Sequence, residues 1–304
     1  MTHRAAELRA ELVAVVLTVA AGRAWVLASG DPAHLPAGPL GADQDSLQTG
    51  ARDFVLDQTG LRLGYVEQLY TFADGARSHN DDRVVSISYL GLTKADASTG
   101  DGEWSALYDL LPWEDRRHVS EDAPVDRLSQ EIEAALRRWA GSDRERSERC
   151  KFLFGCDDQP WRPDLALQRY ELLWEAELVA ESPSAARVSA LTGAAMWHDH
   201  RRILATALSR VRAKLQYRPV VFELMDDTFT LGQLQETVET IAGQSLHKQN
   251  FRRTVEVQHE LVEPTDELSR DTGGRPARMY RFRREVLHER GQVGTKLPLP
   301  RSPR

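Results

Sequence analysis

At 304 residues, with 41% hydrophobic and 28% charged side chains, the chain is long enough for two domains and apolar enough for a sizeable core. Its only cysteines, Cys150 and Cys156, exclude a disulfide framework and a four-cysteine zinc site; a reducing cytoplasm fits. The formal charge of −7 hides an asymmetry, because 19 Lys/Arg stand against 13 Asp/Glu from Arg201 onward, which suits a polyanion-binding module on an acidic body or simply an uneven surface.

The first apolar run, "ELVAVVLTVAAGRAWVLAS", is broken at Gly22-Arg23 and is too short to cross a bilayer. It lacks a basic leader and reads as two strands about an "AAGR" turn. A Pro/Gly-rich loop, "GDPAHLPAGPLGADQD", precedes a segment with Leu47, Ala51, Phe54, Val55 and Gln58 at helical spacing and Gly60 as its stop. "YVEQLYTF" and "RVVSISYLGLT" are β-branched and aromatic, hence strands, and "ADGARSHNDD" between them is a polar loop. Strand, loop, helix and paired strands make an α+β domain over residues 1–123.

Residues 124–217 turn helical. "VDRLSQEIEAALRRWAG" and "DLALQRYELLWEAELVAE" are the clearest cases, and Leu204, Leu208, Val211 and Leu215 form one stripe in "DHRRILATALSRVRAKLQY". In "WHDH", His198 and His200 stand two apart, a spacing that does not converge on one metal from a helix, so Asp199 reads as a helix cap. No P-loop or nucleophile elbow is present.

Residues 218–290 carry the strongest pattern. Thr230 is placed to cap a helix with Leu231, Leu234, Val238 and Ile241 on one side and Gly243 at its end. A turn leads to "SLHKQNFRRTVEVQ", where a helix puts Phe251 and Val255 on one side and Gln249, Arg252, Arg253 and Glu256 on the other. "ELVEP" and "MYRFRR" are strands around a Gly-Gly-Arg loop. Helix, turn, basic helix and hairpin is the layout of a winged helix-turn-helix. Lys248, Gln249, Asn250, Arg252 and Arg253 are its candidate DNA contacts, because Arg reads guanine and Asn or Gln reads adenine in the major groove. Arg275 and Arg278 in the hairpin are suited to phosphates or a minor groove. The plainer alternatives are caps and ion pairs within the fold, or a winged helix used for protein contacts. The tail at 291–304 has a disordered composition.

"FTLGQLQETVETIAGQSLHKQNFRRTVE" followed by "GGRPARMYRFR" resembles the C-terminal domain of the Nudix-related transcriptional regulators of the NrtR type. "LGYVEQLYTFADGAR" with "RVVSISYLGL" resembles their Nudix-like sensor domain, and the helical insert is similar to the NadQ branch of NAD-biosynthesis repressors. The resemblance implies a Nudix-like α/β/α sandwich, a helical linker or dimerisation region and a winged helix. It implies a homodimer that represses NAD synthesis or salvage genes at palindromic operators. Its effector would be an adenine nucleotide (NAD, ADP-ribose or ATP), with no required cofactor, no membrane and a cytoplasmic location.

An active Nudix box holds Mg²⁺ on clustered glutamates, as Gly, five residues, Glu, seven residues, then Arg-Glu-apolar-x-Glu-Glu-x-Gly. Here "GARDFVLDQTGL" contains no glutamate, and neither register of it on Gly60 restores the set. Asp53 and Asp57, four apart, are weak metal candidates or simply a solvated acidic face. No catalytic residue is therefore assigned, and the reading is a regulator, with a Mg-dependent hydrolase of ADP-ribose-like nucleotides as the alternative. Without metal, a nucleotide still needs shape, stacking and a few polar groups. Tyr70 and Phe72, alternating on one strand, are candidates to stack an adenine unless they are core, and Arg77 and Arg83 to meet phosphates.

Overall fold

A computed structural model describes residues 8–40, 46–73, 83–94, 103–118, 127–183, 192–216, 218–258, 261–269, 276–283 and 285. The chain divides into two compact units. One comprises residues up to Thr18 with Ala24–Trp113 and Ala166–Leu208, and the other Val19–Arg23, Glu114–Leu165 and everything from Ser209. The helical segment expected at 124–217 thus contributes to both.

The first unit is built on a six-stranded sheet. Its strands are β1 (Leu8–Ala20), β2 (Arg23–Leu27), β3 (Ala37–Pro39), β4 (Tyr65–Phe72), β5 (Arg83–Leu92) and β6 (Trp104–Ala106), in the order β4-β5-β1-β2-β6 with β3 also on β1. β1 and β5 are parallel, from Leu8 opposite Arg83 to Leu17 opposite Leu92. Residues Leu12 to Leu17 are all buried, the mark of a strand covered on both faces, which explains its continuous apolar run. The expected turn is present as Ala21 and Gly22, with φ of 49° and 68°. Two successive positive φ values define the type I′ turn that suits the twist of a two-residue hairpin.

Helix α1 (Leu47–Thr59) packs on one sheet face. The Ser46 hydroxyl caps its start by accepting from the Thr49 N–H, and Gly60 ends it. Ala51 and Val55, one turn apart, enter a core with Leu12, Ala14, Val16, Leu27 and Val66, each buried aliphatic side chain contributing about 1.5–3 kcal/mol. Phe54 lies across Gly38, where a Cβ would fall 2.6 Å from the ring, so only glycine lets the helix approach β3 this closely. The unit is completed by α2 (Leu107–Leu110), and by α5 (Ala166–Glu175) and α6 (His200–Leu215), of which α6 contributes its residues to Leu208. Leu204 and Leu208 are fully buried, as their spacing predicts. Arg201 is buried too, held by Glu181 and the carbonyls of Leu110 and Thr192.

In the second unit, α3 (Arg127–Ala140) and α4 (Arg144–Phe154) form a helical pair. They border a cavity of about 230 Å³ lined by Cys150 and Cys156. Burial pushes the Cys156 thiol up to about 11, which leaves it an inert thiol at neutral pH. The same unit holds β7 (Phe229–Thr230), α7 (Leu231–Ala242), α8 (Lys248–Arg252), β8 (Val262–Leu268) and β9 (Arg278–Phe282), with a second sheet ordered β7-β9-β8. Thr230 and Gln233 form a reciprocal capping box at the start of α7, and Gly243 ends it in the left-handed region. Leu234, Val238, Ile241, Phe251, Val255 and Leu261 are its core, each fully buried. Among the described residues no helix is long and apolar enough to cross a membrane.

Candidate functional site

The recognition segment differs from a plain α-helix. α8 has five residues, and Arg253–Gln258 continue it with π-helical bonding. The local chemistry accounts for the change. The Thr254 hydroxyl donates to the Asn250 carbonyl at 2.9 Å, competing for the acceptor that a regular turn would use. Thr254, Val255 and Val257 are β-branched, which disfavours tight α-helical packing. The widened turn still sorts the side chains as expected. Phe251 and Val255 are buried, while Lys248, Gln249, Asn250, Arg252 and Arg253 are all exposed.

On the wing, Arg278 opens β9 and is exposed. The Tyr280 hydroxyl donates to Glu256 at 2.8 Å, tying the hairpin to the recognition segment. Burial and the Glu256 hydrogen bond push the Tyr280 phenol up, and the positive charges of Arg278 and Arg252 act against them. Helix cation and wing cation therefore both lie within electrostatic reach of one phenol. Arg281, by contrast, is paired with Glu263 at 2.5 Å. Among the described residues no carboxylate pairs with Lys248, Arg252, Arg253 or Arg278, so their charge faces outward and is available to a polyanion. Arg275 lies outside the described residues.

The effector candidates are placed less simply. Tyr70 and Phe72 do not share a face, because the β4–β5 register shifts between Gln68 and Thr71. This bulge leaves Tyr70 and Thr71 both outward, with Tyr70 52% exposed, and turns Phe72 into the core. The Ser88 hydroxyl stabilises it by donating to the Tyr70 carbonyl at 2.8 Å. The Arg202 guanidinium stands 5.1 Å from the Phe72 ring centre, a cation–π contact that occupies a face an adenine would otherwise use. Arg83 begins β5 opposite Leu8. Its side chain and the whole of Arg77 lie outside the described residues.

Asp53 and Asp57 sit exposed on α1, opposite the buried Ala51 and Val55. Among the described residues, no group of three or more His, Cys, Asp or Glu is arranged to hold a metal ion. Arg52, next to Asp53, donates to the carbonyls of Leu63 and Gly64. It staples the middle of α1 to the chain leading into β4.

The histidines of "WHDH" take separate roles. His198 meets the Trp197 ring edge-on at 4.5 Å. His200 is buried, and its Nδ1 accepts from the Leu35 N–H at 2.9 Å. Burial first, then the neighbouring His34 and His198, push its pKa down to about 3. A folded value below the unfolded one of about 6.5 means that acid favours unfolding. His200 therefore supports the fold fully above about pH 6.5 and ever less as pH falls towards 3, by on the order of 1 kcal/mol per pH unit. Urea titrations at pH 7, 6, 5 and 4 should show a shallower acid loss for His200→Gln than for the parent. Equal slopes would mean that His200 is not the acid-sensitive group.

Residues that the sequence did not single out gather at the end of α7. Arg212 and Glu114, both fully buried, form an ion pair. Arg212 also donates to the carbonyls of Ile241 at 2.8 Å, Pro163 at 3.1 Å and Glu114 at 2.9 Å. Beside it, Arg117 is oriented by Asp115 through Nε at 2.9 Å and Nη2 at 2.8 Å. Its Nη1 donates to the Gly22 carbonyl at 2.7 Å and to the Thr240 hydroxyl at 2.8 Å. No periodicity marks an arginine whose partners lie 95 and 123 positions away in sequence. Its only sequence signal is the charge cluster "WEDRRH".

Comparison with known proteins agrees with this geometry. Residues 221–282 match the NrtR DNA-binding winged helix domain. The ADPR responsive transcriptional repressor NtrR of Acinetobacter baylyi is 40% identical over 84 residues, 28% of this chain and 33% of the relative. The chain thus spans about a third of the length of the curated relative it matches. Shewanella oneidensis NrtR, solved with a 27mer DNA, superposes with a TM-score of 0.58 at 19% identity, over 95% of this chain and 99% of that one. A MutT/nudix family protein of Enterococcus faecalis gives a TM-score of 0.52 at 16% identity, over 93% and 89%. At these identities the likeness is one of fold, a Nudix-type sandwich joined to a winged helix.

Proposed function

We propose that this chain, whose C-terminal domain belongs to the NrtR winged-helix family, is a nucleotide-responsive transcriptional repressor. The observation that carries the reading is the recognition segment, where five polar and cationic side chains stand outward on buried Phe251 and Val255. Such a segment fits the major groove, with Arg278 and Arg275 on the wing against the backbone. In this reading the chain acts as a cytoplasmic homodimer on two half-sites of a palindrome near NAD synthesis or salvage genes. Residues 124–217 join the protomers, 218–290 read the operator, and 1–123 bind the effector.

ADP-ribose is the first effector to test, since the Acinetobacter relative is ADPR responsive; NAD and ATP share the adenine. Tyr70 is the outward aromatic of the candidate set, and Phe72, Arg77 and Arg83 are the other effector residues proposed. Asp53 and Asp57 on the exposed side of α1 favour one second reading, a residual Mg-dependent hydrolase of ADP-ribose-like nucleotides.

A gel shift on DNA upstream of neighbouring NAD-synthesis genes, titrated with NAD, ADP-ribose, ATP and AMP, tests both readings. A retarded band whose midpoint moves with one nucleotide supports the repressor. A protein that ignores this DNA at moderate salt, with and without each nucleotide, refutes it. Mg-dependent turnover of ADP-ribose that disappears in Asp57→Ala would establish the hydrolase.

A further inference from the structure

The turn between β1 and β2 belongs to the same compact unit as the winged helix. Gly22, at its tip, lies against α7. A Cβ there would fall 2.7 Å from the Glu236 carboxylate, and the Gly22 carbonyl accepts from the Thr240 hydroxyl at 3.2 Å, one helical turn further on. Arg117 completes a three-way clasp by donating to both the Gly22 carbonyl and the Thr240 hydroxyl.

The irregular chain that follows Asp115 is fastened along the end of α7 as well. The Arg116 N–H donates to the Gly243 carbonyl at 2.8 Å, and the Ser245 hydroxyl donates to the Arg117 carbonyl at 2.6 Å. Gly243 and Ser245 are the turn that launches α8, which starts at Lys248. The clasp therefore holds the residues that aim the recognition segment.

Two neighbouring arginines differ in how firmly they are held. Arg212 and Glu114 are wholly buried, and separating them would strand a charge away from water. Arg117 and Asp115 are 25% and 22% exposed. Water can replace a partner of Arg117 at small cost, so this is the grip able to open and close. Its third member, Gly22, sits in the turn that follows β1, a strand hydrogen-bonded to β5, which in turn pairs with the β4 that bears Tyr70.

We infer that Arg117 and Thr240 are positioning residues for operator recognition, and that their clasp on the Gly22 carbonyl is the contact through which effector binding changes DNA affinity. The inference rests on the repressor reading above. It needs a clasp that differs between the DNA-competent and effector-bound states, since only a differential contact transmits coupling.

The test uses the full chain and three variants, Thr240→Val, Thr240→Ser and Arg117→Lys. Thr240→Val keeps the side-chain shape and removes both hydroxyl bonds, Thr240→Ser restores them, and Arg117→Lys keeps the charge without the fork. ADP-ribose affinity is read by calorimetry, and operator affinity by fluorescence anisotropy with and without saturating ADP-ribose. In the parent the ratio of the two operator affinities should be on the order of 5–150-fold. In Thr240→Val and Arg117→Lys it should shrink towards one while ADP-ribose affinity is kept, and Thr240→Ser should retain the parental ratio.

If the variants lose operator affinity by the same factor with and without ADP-ribose, the clasp is merely structural and the inference fails. Should Thr240→Val not fold, the Arg117→Lys ratio decides alone. A parent that binds operator but ignores ADP-ribose overturns this inference and leaves DNA binding standing, whereas a parent that does not bind operator overturns the repressor reading itself.

Discussion

Arg252→Ala and Arg253→Ala should each weaken operator binding by about 1–3 kcal/mol, roughly 5- to 150-fold, without loss of fold. Both side chains are exposed, and the neighbouring core residues Phe251 and Val255 are left in place, so thermal melting should barely change. The mode of contact is separable by salt. An arginine on a base edge relaxes sequence preference at one position, whereas one on a phosphate lowers affinity for every sequence and reduces the salt slope by about 1. Anisotropy titrations across a salt series, on operator and on scrambled duplex, would distinguish the two. Arg281→Ala is the control, because Glu263 already holds that side chain. If the double variant Arg252→Ala/Arg253→Ala bound operator like the parent, α8 would not be the reading element.

The second large effect concerns stability. Arg212→Met should cost about 3–5 kcal/mol, because it leaves the Glu114 carboxylate buried without its partner. It also deprives the Ile241 and Pro163 carbonyls of their donor. Glu114→Gln should cost less, since the amide oxygen still accepts from the guanidinium while the arginine charge is no longer balanced. Arg212→Met/Glu114→Gln should recover part of the single-variant loss, the signature of a direct pair. Calorimetric melting is the measurement. The comparison is Arg127→Ala, whose pair with Glu131 is 92% and 36% exposed and should matter by under about 1 kcal/mol. Equal melting shifts for Arg127→Ala and Arg212→Met would contradict the assigned role of burial.

Local signals carried much of this architecture. Thr230 announces a helix cap from its place before an apolar stripe, and Gly60 and Gly243 announce helix ends, while the reciprocal bond from Gln233 emerges only in the structure. The strands Tyr65–Phe72 and Arg83–Leu92 fall where β-branched and aromatic residues cluster. What stayed hidden depends on partners distant in sequence or on small irregularities. Tyr70 and Phe72 look equivalent by alternation, and only the bulge against β5 separates them. The π-helical turn falls where the Thr254 hydroxyl takes the Asn250 carbonyl among β-branched neighbours, a combination no spacing rule marks. Arg212 reads as one more cation on a surface helix, until Glu114 is brought to it across 98 positions.

The hairpin at Ala21 and Gly22 has one more consequence, for how the sheet finds its alignment. In most strands the alternation of apolar and polar residues fixes which side chains face inward, so a slip of one position is penalised at every residue. β1 has no such safeguard. Leu12, Ala14 and Val16 could trade places with Val13, Val15 and Leu17 and burial would hardly suffer. Alignment must be set by features that cannot slide. One is the pair of residues that accept a positive φ, and another is Glu11, which receives the Ser86 hydroxyl at 2.6 Å from its partner position on β5. The turn is thus the ruler's zero mark for the sheet during folding. A single-residue insertion in β1 would displace that mark even though the strand itself remained apolar throughout.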